Sequence, residues 1–304
     1  MANVLKLPHW NSREWRWLCN CSRTNNSRSF KDVCDDPGWR LKTLDQMEAE
    51  QSEHPFFTSI PGPIGGLRVG LDVLHTVDLG YAGALCSSVL NHWTAGRKRE
   101  ERVAEIWNMI REAYDQLRTD DRLNNLTLCT FISGRPARPA MKAKGAETRQ
   151  LAPAMAIVAR RRGVRTAVER HCAEALENLA RFYIICEGQN MFMGDAAAAD
   201  AFARMRHNLQ HYAWLHMHFD RLSPLSGMFP VRPKFHWCYH IGASSKYLNP
   251  RHSWTYRNED WVGRMSCVAL SCAHGTRSIK IMQSFMKKYL CMLNHRLRRP
   301  MTTD

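Results

Sequence analysis

Long stretches of this 304-residue chain carry apolar residues every three or four positions, the period of an amphipathic α-helix. The clearest stretch is 98–118. Further helices are predicted over 164–187, over 195–219 with Asp195 as the N-cap, and over 259–294 with a break near Gly275. The apolar stripe of the first helix consists of Val103, Ile106, Trp107, Ile110, Tyr114 and Leu117. The pattern predicts a mainly α protein.

The segments between these helices are rich in residues that interrupt regular structure. Residues 126–158 are predicted to form a loop and a short helical piece, with Pro136, Pro139 and Pro153 as breaks. Residues 229–258 are rich in Pro, Gly, Ser and Asn and are predicted to hold short strands at most. The pattern thus leaves little room for a large sheet.

The charge and the cysteines limit the class of protein. The chain has 43 Lys and Arg against 28 Asp and Glu, a net charge of +15, which favours a polyanion such as DNA as partner. A basic surface without any partner is the alternative. The sequence contains no run of about 18 apolar residues, so a membrane span is not predicted. The N-terminus lacks the apolar core of a secretory signal. Eleven scattered cysteines predict reduced thiols and therefore a nuclear or cytosolic protein that is not secreted.

Two carboxylates stand among apolar residues in the segment LDVLHTVDLG, where we predict a strand end or turn running into a helix. Carboxylates fixed at a strand end are suitable ligands for a pair of Mg²⁺ ions about 4 Å apart. The candidates are Asp72 and Asp78. The alternative interpretation is that Asp72 is a helix N-cap and Asp78 a surface residue.

Residues 71–91 and 228–280 resemble transposases of the CACTA (En/Spm-type) group and of the related Kyakuja–Dileera–Zisupton group. Asp72 and His75 match the family's L-D-V-M-H segment, and in the Zisupton-type variant Asp78 is the ligand instead. The segment RHSWTYRNEDWVGRM resembles the family's R-W-M-Y-P-F-E-R block, in which an aromatic pair precedes the catalytic Glu. Trp254, Tyr256 and Glu259 keep that spacing.

The resemblance implies a partial RNase H-like core with a large helical insertion. It divides the chain into an irregular N-terminal segment 1–60, a core segment 61–95, the helical insertion 96–225, and a core return 226–304 that carries the Glu helix and a basic tail. It also implies Mg²⁺- or Mn²⁺-dependent cleavage and transfer of DNA strands, with Asp72 and Glu259 as catalytic residues and Asp72, Asp78 and Glu259 as metal ligands.

The first Asp of the family's Asp-Asp-Glu triad has no counterpart here. The acidic residues before residue 71 include those of KDVCDDPGW, which is predicted to be a turn. We therefore expect a truncated or degenerate transposase that still binds DNA but whose catalysis is lost or impaired. A non-catalytic helical module that binds nucleic acid or a protein partner is the alternative, and a poorly folding remnant is the third possibility.

Cysteines and histidines suggest a second metal, zinc. Cys19, Cys21 and Cys34 are the predicted ligands, although a C-x-C spacing is tighter than the usual C-x₂₋₄-C. The cluster from His9 to Cys21 would then be the remnant of a zinc knuckle. His236 and His240 of the segment HWCYH also invite this interpretation and match a family block with two histidines four residues apart, but buried or hydrogen-bonded histidines are the alternative.

Basic clusters are the predicted contacts to nucleic acid. Such clusters neutralise phosphates and give salt-dependent binding, although solvated helix ends have the same composition. The predicted residues are Arg97, Lys98, Arg99, Lys142, Lys144, Arg160, Arg161, Arg162 and Arg165.

Overall fold

A computed structural model describes residues 18–22, 24–43, 45, 46, 49, 71–96, 98–134, 137–223, 227–273 and 278–297. The chain divides into two compact units, Met1–Trp254 and Thr255–Asp304. The segment boundaries at 60, 95 and 225 stay predictions.

Helices make up most of the described part of the first unit. A π-helical segment, Leu74–Ala82, runs directly into α1, Gly83–Trp93. The following elements are α2 (Arg99–Leu117), α3 (Leu128–Phe131), β1 (Ile132–Ser133), β2 (Arg138–Pro139), α4 (Gly145–Arg162), α5 (Ala167–Glu187), α6 (Asp195–Leu222) and α7 (Pro233–Ser244). The second unit contains α8, Tyr256–Ala273, and α9, Ser278–Leu297, either side of the predicted break.

The prediction of a mainly helical protein is confirmed. In the described part of the chain the sheet consists of two antiparallel strands, with Ile132 opposite Pro139. An RNase H-like core requires a mixed sheet of about five strands, and the described residues contain no such sheet. None of the described helices is long and apolar enough to cross a bilayer.

The core of the first unit is built around α5 and α6, which pack against each other along their lengths. Their inward faces carry residues with no exposed surface, and α4 and α7 cover them from two sides. Gly242 of α7 allows the close approach to α6, since a Cβ there would lie 2.9 Å from Cβ of Met205. The buried side chains include Leu176, Leu179 and Phe182 of α5 and Met205, Leu209 and Tyr212 of α6.

Pro153 was predicted to break a helix, and it does not. It lies inside α4, where burial of Leu151, Met155 and Val158 offsets the cost of a proline in a helix interior, about 3 kcal/mol for the lost hydrogen bond and the steric clash together. Asp195 is the first residue of α6 rather than its cap, because Gly194 is the N-cap.

The segment 229–258 also differs from the prediction, because α7 is a three-turn helix rather than irregular chain. Pro233 occupies the first turn, where its missing N–H group costs nothing. Most of the side chains that follow are buried, so packing stabilises a helix that local composition disfavours.

Residues 18–43 form an irregular segment that packs on α6 and α7. An isolated bridge pairs Cys19 with Leu41, and the turn predicted at KDVCDDPGW is present. Asp32 makes that turn by accepting hydrogen bonds from the N–H groups of Cys34 (3.2 Å) and Gly38 (3.0 Å). The amide of Gln210 on α6 donates to Val33 O at 3.2 Å.

The contact between α5 and α6 predicts a dependence of stability on pH. Nδ1 of His171 lies 2.9 Å from Nδ1 of His211, and the His171 ring stacks on Trp214. Burial, together with the neighbouring His211, lowers the pKa of His171 to about 4, and burial lowers the pKa of His211. At these two histidines the unfolded chain therefore binds protons more readily than the folded chain. Their contribution to the free energy of unfolding is present above about pH 6.5 and is lost as the pH falls towards 4.

The melting temperature should fall between pH 7.5 and pH 5. Replacing both histidines by glutamine should reduce that fall, as measured by circular dichroism. An equal fall in the wild type and in the double variant would contradict this origin.

Candidate metal centre

Helix α7 presents two buried histidines on one face. His236 and His240 are four positions apart, about one helical turn, so both imidazoles point the same way. His236 has no exposed surface and His240 is 5% exposed. The face of α7 that carries them is covered by residues 18–43.

Two cysteines of that segment meet the histidines. Cys19 and Cys21 are each 1% exposed, and Sγ of Cys19 lies 3.2 Å from Nε2 of His236. The ligand atoms of Cys19, Cys21 and His236 all lie within 4.8 Å of one another. This buried group can hold a metal ion.

His240 borders the same group. Its Nε2 atom lies 3.0 Å from Nε2 of His236, and its side chain also interacts with Cys19. Tetrahedral zinc, with bonds of about 2.3 Å to sulfur and 2.0–2.1 Å to nitrogen, separates a sulfur from a nitrogen ligand by about 3.6 Å and two nitrogens by about 3.3 Å. The observed separations lie within a few tenths of an ångström of these edges.

The surroundings hold His236 in the tautomer that a metal requires. Its Nδ1–H donates to the carbonyl oxygen of Phe30 at 3.1 Å, which leaves the lone pair of Nε2 directed at Cys19 and His240. Metal-binding histidines usually make such a bond with their second nitrogen. The buried ring of Trp39 packs edge-on against His236, with ring centroids 4.6 Å apart, and excludes water from this side.

The two thiols differ in their acidity. A hydrogen bond from Cys21, together with the neighbouring His240, holds the pKa of Cys19 well below its usual value. The same hydrogen bond and burial raise the pKa of Cys21. Burial lowers the pKa of His236 and keeps its ring neutral. The centre thus offers one thiolate and a neutral imidazole, and a metal would displace the proton shared by the thiols.

Two of the three predicted zinc ligands, Cys19 and Cys21, belong to this buried group. Cys34 is exposed and is not part of the group, because the Asp32 turn carries it to the surface. His9, the start of the predicted zinc knuckle, lies outside the described residues. Cys238 is buried away from the group, with its Sγ 4.0 Å from Thr76 O. The four-residue spacing of His236 and His240 is the sequence signal for the histidines of this group. The spacing is informative only if the segment is a helix, because only then do both side chains lie on one face.

Asp72 lies at a helix start, not at a strand end. Its two carboxylate oxygens accept from the N–H groups of Leu74 (3.0 Å) and His75 (3.3 Å), and Nδ1 of the His75 ring lies against the same carboxylate. This is the capping role of the alternative interpretation.

Asp78 lies on the π-helical segment and is fully buried, so the expectation of a surface residue is wrong. Its carboxyl accepts a hydrogen bond of 2.6 Å from the hydroxyl of Tyr183 on α5. The wide π turn, closed by Gly83 N–H to Asp78 O, directs this side chain into the core.

Glu259 lies on α8 in the second unit, and its side chain is outside the described part of the structure. Its role as a metal ligand with Asp72 stays a prediction.

The capping role of Asp72 makes a modest prediction for stability. Asp72→Ala should lower the free energy of unfolding by about 0.5–2 kcal/mol, because two helix N–H groups lose their acceptor. Chemical denaturation measures this, with Asp72→Ser as the control that restores a cap. If both variants lose the same stability, the carboxylate does not act as a cap.

Several of the predicted DNA contacts are engaged within the protein. Arg160 pairs with Glu177 at 2.8 Å and Arg161 with Glu112 at 2.9 Å. The guanidinium of Arg162 lies over the Trp93 ring. In addition, Lys98 pairs with Glu101, and Arg99 donates to Asn91. Arg97 lies outside the described residues.

The remaining predicted basic residues, Lys142, Lys144 and Arg165, are exposed.

Comparison of the chain with protein-family models, with curated protein sequences and with solved structures finds no match.

Proposed function

We propose that Cys19, Cys21, His236 and His240 bind one structural Zn²⁺ ion. The observation that carries this proposal is the convergence of four buried ligand side chains, with separations of 3.2 Å and 3.0 Å at the Nε2 atom of His236. Two sulfurs and two imidazole nitrogens form a common structural zinc set. Four protein ligands leave no open position for a substrate, so the ion has a structural and not a catalytic role.

Zinc would attach the N-terminal segment to α7. Cys19 and His236 are 217 positions apart in the chain, so the ion closes a long loop. In the described residues of the segment 18–43 the regular structure is one short 3₁₀ turn, Asn26–Arg28, and isolated bridges, so regular backbone structure contributes little to holding the segment. Structural zinc in small peptides binds with about 10–16 kcal/mol, which is ample to order such a segment.

The test is the zinc content of the purified chain after dialysis, measured by inductively coupled plasma mass spectrometry. One zinc per chain is expected. Cys21→Ser and His240→Gln should each reduce the content strongly, whereas Cys34→Ser, a matched substitution of an exposed cysteine, should keep it. A chain without zinc, or the same loss in all three variants, would contradict the site.

We also infer, as a second function, that the chain is a transposase-derived nuclear protein that binds DNA and has lost the Mg²⁺-dependent strand cleavage of its ancestors. The net charge of +15 and the resemblance of residues 71–91 and 228–280 support this inference. Lys142 and Arg165 would contact phosphate, since their exposed side chains make no hydrogen bond or ion pair with another described residue.

Fluorescence anisotropy with a labelled duplex at several salt concentrations tests DNA binding. Lys142→Gln with Arg165→Gln should weaken binding and reduce the slope of log K against log salt by about one per lost phosphate contact. Arg161→Gln is the control, because Glu112 already neutralises that charge. Absence of salt-dependent binding in the zinc-loaded wild type would refute DNA binding and leave the zinc site untouched.

A further inference from the structure

Helices α5 and α6 bring together a second group of ligand side chains, which shares no residue with the zinc centre. Nδ1 of His171 on α5 lies 2.9 Å from Nδ1 of His211 on α6, so the two ring nitrogens face each other across the helix contact. Both rings are half-buried, so an ion from the solvent can reach them. Within the described part of the chain, neither imidazole makes any other hydrogen bond or ion pair.

The register of the two helices determines which side chains flank this histidine pair. Asn178, seven residues after His171 on α5, meets Arg204, seven residues before His211 on α6, with 3.4 Å between Asn178 Oδ1 and Arg204 Nη1. The two helices are therefore antiparallel and keep one register between these contacts. A residue one turn after His171 thus lies beside a residue one turn before His211.

Glu174 and His207 occupy these two flanking positions. Both are exposed, and neither side chain makes a hydrogen bond or ion pair with another residue that the structure describes. Burial lowers the pKa of the His211 ring, and Glu174 raises it. His207 and Arg170 lower it, so all three side chains lie close enough to act on this ring. Glu174 offers a carboxylate and His207 a third imidazole, whereas Arg170 opposes the charge of a bound cation.

We propose that His171, Glu174, His207 and His211 form a second, solvent-accessible site for a divalent transition-metal ion such as Ni²⁺ or Zn²⁺. Such ions bind well to imidazole, whereas Mg²⁺ prefers a shell of oxygens. Two nitrogens bound at 2.0–2.1 Å are about 2.9 Å apart at a right angle and about 3.3 Å apart at a tetrahedral angle. The observed 2.9 Å between the histidine nitrogens therefore needs to change by a few tenths of an ångström at most. The inference rests neither on the zinc centre nor on DNA binding.

A metal ion would replace the proton that the two imidazoles share. In the metal-free chain one ring donates its Nδ1–H to Nδ1 of the other. On binding, the donor ring takes the tautomer with its proton on Nε2, which frees both Nδ1 lone pairs for the ion without net loss of a proton. Because two of the four ligands are exposed and must become ordered, binding is weaker here than at the buried zinc centre, and dialysis removes the ion from this site alone.

Isothermal titration calorimetry of the full, tag-free, zinc-loaded chain tests the site with Ni²⁺ and Mg²⁺ as probes. We expect one Ni²⁺ per chain with a micromolar Kd and no binding of Mg²⁺. His211→Gln should weaken binding of Ni²⁺ at least about tenfold. Glu174→Gln and His207→Gln should each weaken it by a smaller factor, about threefold or more. His252→Gln, on an exposed histidine outside the group, should have no effect.

X-ray absorption at the nickel edge separates this site from the zinc centre. Nitrogen and oxygen ligands without sulfur are expected, and the zinc content should not change when Ni²⁺ binds. A sulfur ligand on the nickel, equal binding of Mg²⁺, or equal weakening by His211→Gln and His252→Gln would overturn the proposal. Absence of Ni²⁺ binding would also overturn it and leave a hydrogen-bonded histidine pair. Glu174→Gln and His207→Gln change exposed side chains, which keeps the test valid should His211→Gln misfold.

Discussion

Replacing Cys19 and Cys21 together by serine should remove the zinc and lower the melting temperature of the chain strongly. The N-terminal segment would lose its attachment to α7, and His236 and His240 would be left buried without a metal. If only about 3 kcal/mol of the binding free energy contributes to global stability, the melting temperature should fall by roughly 6–12 °C. Differential scanning calorimetry in the presence of zinc measures the change.

Two controls make this result specific. Cys34→Ser combined with Cys129→Ser alters the same number of cysteines, both exposed, and should leave the melting temperature within about one degree. A zinc chelator should lower the melting temperature of the wild type to that of the Cys19/Cys21 variant and should not affect that variant. If the chelator acts equally on both proteins, the two cysteines do not bind the metal.

Tyr183→Phe is expected to be the second most damaging of these substitutions. It removes the hydroxyl that donates to Asp78 and leaves that buried carboxyl with one donor fewer. Loss of a partner for a buried polar group costs about 1–3 kcal/mol, and more if the group is charged. Chemical denaturation should show this loss, whereas Tyr247→Phe, on a tyrosine that is 40% exposed, should change stability by less than about 0.5 kcal/mol.

A double-mutant cycle with Asp78→Asn identifies the interaction. The effects of Tyr183→Phe and Asp78→Asn should be non-additive by about 0.5–3 kcal/mol, since both alter one hydrogen bond. Additive effects would mean that Asp78 is not stabilised by Tyr183, and the interpretation of Asp78 as a structural residue of the core would fail.

The helices of this protein were predictable where one face is apolar and the other is charged. The stripe from Val103 to Tyr114 is of this kind, and α2 lies within one residue of the prediction at each end. Helices α4 and α7 were not predictable, because both are buried on several sides and carry proline. Tertiary burial overrides local composition in these two helices, and one sequence contains no direct sign of it.

Only part of the candidate metal centre was predictable from the sequence, because its histidines lie on α7, a helix that the local composition disfavours. Cys19 and Cys21 could be named as candidate zinc ligands from the sequence, although their C-x-C spacing is tighter than usual. Their histidine partners come from the far end of the first unit, on a helix that was predicted as irregular chain. For Asp72 the sequence alone could not separate two roles, because helix capping and metal binding both favour an Asp before an apolar helix. The hydrogen bonds of Asp72 to the N–H groups of Leu74 and His75 are those of a cap.

X-ray absorption at the zinc edge of the purified chain tests the central claim most directly. Coordination by Cys19, Cys21, His236 and His240 predicts two sulfur ligands at about 2.3 Å and two imidazole nitrogens at about 2.0–2.1 Å. Reloaded with less than one equivalent of zinc, so that only the weakened site is filled, His240→Gln should show one imidazole nitrogen instead of two and unchanged sulfur distances. A spectrum with oxygen or nitrogen ligands alone, or with four sulfurs, would contradict the centre described here.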